Sequence, residues 1–159
     1  MSYTTLKTLH ILSMVLLFGT GLGSAYYKWM ADRSGNVPHI ARTNRNVVLA
    51  DWIFTTPTVM LQPLTGVWMV HQLGLAWNTP WIAASLGLYA LAAACWLPVV
   101  GLQIRMQRLS QAAAVRQWAL APDYWRLARW WFWLGVPAFT AMVLIVVMMV
   151  AKRIPGVGS

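Results

Sequence analysis

The sequence predicts an all-α integral membrane protein, a four-helix bundle with both termini on the periplasmic side. Three observations predict it. Of 159 residues, 59% are hydrophobic and only 9% charged, whereas a soluble domain carries roughly a quarter of its residues charged. Four apolar runs each approach the about 20 residues that cross about 30 Å of hydrocarbon. The Lys and Arg residues gather in two of the connections. A net charge of +9, dispersed between apolar runs rather than held in one patch, fits topology signals and contact with anionic membrane lipid, and argues against nucleic acid as a partner. Cys95 is the sole cysteine, which leaves no intrachain disulfide and no Cys-based zinc site.

The first helix is expected at about 5–27. Gly23-Ser24-Ala25 resembles a signal-peptide cleavage site, but Lys7 alone precedes the apolar core while Lys28 and Arg33 follow it. A signal peptide has the opposite arrangement, so the run reads as a retained helix with its N-terminus outside. Residues 28–46 read as a polar connection with four Lys/Arg, broken by Gly35 and Pro38 and holding a solvated His39. The second helix is expected at about 47–73, with Pro57 and Pro63 inside it, tolerated where neighbours repair the lost hydrogen bonds. Asp51, near its start, is expected to meet an arginine at the cytoplasmic interface. After a cation-free turn over 72–80, the third helix is expected at about 81–103, with a cytoplasmic extension to about 119. Pro122-Asp123 opens a fresh helix that leads into the fourth apolar run at about 130–151. No repeat or second domain interrupts residues 1–159.

Cation counting orients the bundle. The connections after the first and third runs hold nine Lys/Arg; Lys7, Lys152 and Arg153 are the three outside them. The expected localisation is a multi-pass protein of the bacterial inner membrane. In this topology His10, early in the first helix, and His71, late in the second, both fall near the outer face, about one turn or ~5 Å apart in depth. An ionisable residue inside a membrane helix is a functional hypothesis by default. Haem iron accepts axial histidines, and a helix bundle can hold the macrocycle. Lys7, Lys152 and Arg153 lie at a suitable height to neutralise its propionates, and Trp68, Trp77 and Trp81 to wall the pocket. With two histidine ligands the iron would pass electrons to a quinone or a partner protein; with His10 alone, an open position would admit substrate. A second constellation adds Met14 and Met69 to the two histidines, a soft donor set suited to copper. In a third reading the histidines are interfacial, the chain is a cofactor-free accessory subunit, and the small-xxx-small pair Gly19/Gly23 supplies a face for helix packing or a homo-oligomer.

The residues also carry a resemblance. Lys7-Thr8-Leu9-His10-Ile11-Leu12 opens the chain, Pro63-Leu64-Thr65-Gly66 lies in the second helix, and Trp96-Leu97-Pro98-Val99-Val100 leads to Gln103 and Arg105-Met106 in the third. Met148-Met149 precedes Lys152. Together they resemble, over nearly the whole chain, a bacterial family of predicted four-helix integral membrane proteins classed as a domain of unknown function. That family is distantly similar to the HemJ-type protoporphyrinogen oxidase, which would imply a haem b-binding oxidase of a haem precursor, and to the copper-resistance protein D group, implicated in copper uptake. The Lys-x-x-His opening, at Lys7 and His10, is what carries over to the oxidase.

Overall fold

The computed structural model describes residues 2–152. Four helices are long and apolar enough to cross a membrane: Tyr3–Ser34, Val37–Gln72, Pro80–Arg116 and Pro122–Ala151. No strand occurs among the described residues. Only 11% to 22% of the most apolar window of each helix is buried inside the bundle. The remaining apolar surface faces outward, an arrangement that only a hydrocarbon solvent makes favourable.

The polar connection expected over 28–46 shrinks to Gly35 and Asn36. Gly35 stops the first helix at φ +63°, its N–H bonded to Asp32 O, and the Asn36 side chain caps the second by accepting from His39 N–H. Pro38 sits in the first turn of the new helix, where its missing N–H costs nothing. The breakers are thus stop and start signals placed side by side, and the polar residues around them are helical. His39 is exposed, as expected of a solvated histidine. At the other connections, Leu73 and Gly74 (φ +62°) begin the turn before Pro80, and the third helix runs to Arg116, close to the extension expected.

Hydrogen bonds between helices define the packing. The first and second helices run antiparallel, with Ser13 facing Gln62 and His10 facing Thr65. The fourth packs along the third, and the first part of the second helix packs against the third. The second helix is not regular throughout. Asp51–Thr55 forms a π-helical turn immediately before Thr56 and Pro57, with Thr56 N–H reaching back to Asp51 O. Pro57 cannot donate to the carbonyl four residues earlier, so the register loosens ahead of it. Pro63 leaves the carbonyl of Val59 without its helical donor, and the hydroxyl of Tyr89 on the third helix donates to that carbonyl instead.

All four helices meet at the arginine-rich end in a buried polar cluster. The Lys28 ammonium, fully buried, donates to Asp32 Oδ2 at 2.8 Å and to the Tyr124 hydroxyl at 3.1 Å. Tyr124 donates in turn to Asp32 Oδ1 at 2.6 Å, and Asn44 Nδ2 donates to both Tyr124 Oη and Ser110 Oγ at 3.0 Å. Lys28 also lies over the rings of Tyr124 and Trp131. Ile40, Met106 and Leu127 pack around the cluster as its apolar shell. Replacing Tyr124 by Phe removes the hydroxyl on which three of these groups converge and leaves buried donors unmatched, a cost of about 1–3 kcal/mol. Thermal unfolding in detergent is expected to show a lower midpoint for Tyr124→Phe, and an unchanged one for the exposed Trp125→Phe.

Candidate functional site

His10 is buried in the first helix, at the end of the bundle where that helix begins and the fourth ends. Its Nδ1 lies 2.6 Å from Thr65 Oγ1 on the second helix. The Thr65 hydroxyl hydrogen is directed to Leu61 O at 2.7 Å, so its lone pair faces the ring. Nδ1 therefore carries the imidazole proton, and Nε2 presents a lone pair. Nε2 is buried and has no hydrogen-bond partner. Around it the backbone is held firmly: Gln62 Nε2 donates to His10 O at 2.9 Å and to Ser13 Oγ at 2.7 Å, while Ser13 Oγ donates to the same carbonyl. Gly66 lies against the imidazole, where a Cβ would stand 3.6 Å from His10 Cε1. A side chain oriented through Nδ1–H with a bare Nε2 is the form in which histidine binds a metal.

The remaining residues singled out in the sequence are placed as follows. Lys7 is exposed one turn before His10, and Lys152, also exposed, ends the fourth helix at the same end of the bundle. Arg153 lies outside the described residues. His71 is exposed in the last turn of the second helix. Six residues of helix place it about 120° around the axis from Thr65, so the face that meets His10 is not the face that carries His71. Met69, by the same geometry about 40° from Thr65, is half-buried on the side toward the first helix, and Met14 is half-buried one turn after His10. Trp68 and Trp77 are exposed and Trp81 half-buried near this end. Among the described residues no three His, Cys, Asp or Glu side chains converge on a metal-sized site. Gly19 and Gly23 have nothing within 4 Å of where a Cβ would stand, so their face is not used in packing within the chain.

A model of predicted integral membrane proteins, DUF2269, matches residues 4–153. The chain belongs to this family. No curated protein and no solved structure matches it. For this DUF2269 chain, then, functional inference rests on its own geometry, within the class of predicted integral membrane proteins that the family and the four apolar helices both indicate.

Sequence reasoning missed Ser13, Gln62 and Thr65 as the setting of His10. Their signal was spacing: 10 and 13 on one helix, and 62 and 65 on the next, are polar pairs three apart inside apolar runs, each pair on one helical face. The expectation for Asp51 is overturned. Ion pairs among the described residues join Lys28 to Asp32 and Arg126 to Asp123, and none involves Asp51. In its hydrogen-bonding orientation the Gln103 amide donates to Asp51 Oδ2 at 3.0 Å and accepts from Trp131 Nε1 at 3.2 Å. The nearby arginines instead lie on exposed helix faces. Thr65→Val removes the acceptor of His10 Nδ1–H and is expected to lower stability by about 1–3 kcal/mol. Thr65→Ser, which keeps the hydroxyl, should recover most of that loss in the same thermal unfolding measurement.

Proposed function

We propose that the protein is a multi-pass protein of the bacterial inner membrane that binds b-type haem near its periplasmic face, with both termini on that face and His10 Nε2 as the axial ligand. The observation that carries the reading is the pairing of a proton-bearing Nδ1, anchored on Thr65, with a buried and unpartnered Nε2. That pairing fits one axial bond. Nε2 is enclosed by packing, so binding entails a local parting of the first and second helices at this height. Haem would supply one-electron redox chemistry there.

The residues of the chain have separable roles in this reading. Thr65 fixes the ring's tautomer and rotation, and Gln62 and Ser13 fix the backbone that carries it. Lys7 and Lys152, exposed at the same end, supply charge for propionates, as would Arg153. The exposed position of His71 favours a single protein ligand over the two-histidine form. Haem held by one protein ligand could also bind substrate, which would suit an oxidase of the HemJ type better than an electron-transfer site. The distribution of arginines around the opposite end supports the orientation.

Absorption spectra of detergent-purified protein, from cells supplied with ample haem, test the proposal. The wild-type protein and His71→Ala are expected to show a Soret band and, after dithionite, sharp α and β bands; His10→Ala is expected to lose them. Full haem content in His10→Ala would sink the assignment, and loss in both variants would restore the two-histidine form. A featureless wild-type spectrum with Cu(I) retained through Met14 and Met69 would replace haem by copper. A protein blank for both would be read as the accessory subunit.

A further inference from the structure

A cavity of about 370 Å³ lies toward the arginine-rich end, away from His10. It opens beside the edge-on contact of Phe18 on the first helix with Phe139 on the fourth, ring centroids 5.5 Å apart, and reaches inward to the π-helical turn. The exposed residues Leu22 and Val136 stand at its mouth, so the way in is from the hydrocarbon. Its walls are apolar and aromatic, and Asp51 is the one charged side chain among its lining residues. Asp51 is half-buried rather than sealed off, and it gives onto the cavity.

The polar groups of the cavity are matched in all but one respect. Ser24, Tyr89 and Thr140 donate their hydroxyls to backbone carbonyls. Trp131 Nε1 donates to Gln103, and Gln103, Thr55 and Trp96 all turn to the Asp51 carboxylate. No lining hydroxyl or indole is left for a ligand that brings acceptor oxygens. What these donors do not supply is charge. They are neutral, and among the described residues no cation pairs with Asp51; Lys28, which lies over the Trp131 ring, is bonded to Asp32. An acceptor-only carboxylate is the form that such a set of donors matches. Held in a membrane interior without a counter-charge, it is an expensive group and a functional candidate.

The missing complement has a definite chemistry. The carboxylate already accepts from several side chains, so a partner that brings charge without further N–H groups suits it better than an amine. The rings of Phe18, Phe132 and Phe139 line the same cavity, and aromatic faces attract cations, quaternary ones included. A fatty acid or anionic lipid would instead meet a like charge in a low-dielectric setting. The volume is within the range of pockets that hold a drug-sized ligand. We propose that this pocket binds a lipophilic quaternary cation, an ammonium or phosphonium with apolar substituents, which enters from the bilayer between the first and fourth helices and sets its charge beside Asp51. The site stands on this cavity alone and does not require haem at His10.

Equilibrium dialysis of tritiated methyltriphenylphosphonium against the protein in dodecyl maltoside, with protein-free micelles as the blank, tests it. Saturable binding above the blank is expected, and the neutral analogue triphenylethane should not compete. Asp51→Asn keeps an oxygen for the surrounding donors but removes the charge, and is expected to weaken binding about tenfold or more. A merely structural aspartate would shift the unfolding midpoint without setting the preference for the cation over triphenylethane. Ala93→Phe fills the cavity and leaves the carboxylate in place. It should abolish binding, and with the competition it carries the test if Asp51→Asn does not fold. Absence of saturable binding, equal competition by triphenylethane, undiminished binding in Ala93→Phe, or wild-type affinity in folded Asp51→Asn overturns the proposal. His10→Ala should bind as the wild type does, which separates this result from the haem assignment.

Discussion

An ammonium taken out of water must be matched where it lies, and Lys28 is fully enclosed. Its partners cannot come from one helix. Asp32 supplies the opposite charge from one turn further along, but the hydroxyl that both of them use is Tyr124, on the fourth helix. Asn44 and Ser110 complete the set from the second and third helices. Apolar packing alone would set helix rotation weakly in a bilayer, since lipid is as apolar as the side chains. Here a hydrogen-bonded charge sets it at one end, and the remaining contacts follow from that alignment.

Away from this cluster the bundle is held by fewer polar links, each of them internally satisfied or left open at one atom. Between the first and second helices the seam of Ser13, Gln62, His10 and Thr65 is closed except at Nε2. Between the second and third, Tyr89 closes on Val59. Toward the fourth helix, Gln103 bridges Asp51 and Trp131, and Thr55 and Trp96 turn to the same carboxylate. Buried polar atoms without partners are expensive in hydrocarbon. Among the described residues, His10 Nε2 is such an atom, and that marks its place out from the rest of the bundle.

The four helices were legible because apolar length and cation spacing act locally along the chain. The join at Gly35 and Asn36 is shorter than the sequence suggests because the breakers act as caps rather than as loop; Lys28, Asp32 and Asn44 look like loop residues until Tyr124, some eighty to ninety-six positions away, draws them inward. His10 was legible as an ionisable residue in an apolar run. Its pairing with His71 was argued from depth, and depth says nothing of rotation. Thr65, six residues earlier, owns the facing surface. The arginine expected beside Asp51 failed for a related reason: interfacial height brings groups near one another, but the helix face decides which of them touch.

The bond from Tyr89 to Val59 is made to a backbone carbonyl rather than to a side chain. Any residue at position 59 offers the same oxygen, so that position is free to vary in size without releasing the latch. Control lies four residues further on, at Pro63, which touches the bond only by withholding an N–H. An amide proton restored there would compete with the tyrosine for its acceptor, so the join between the second and third helices is governed from a residue that need not take part in it.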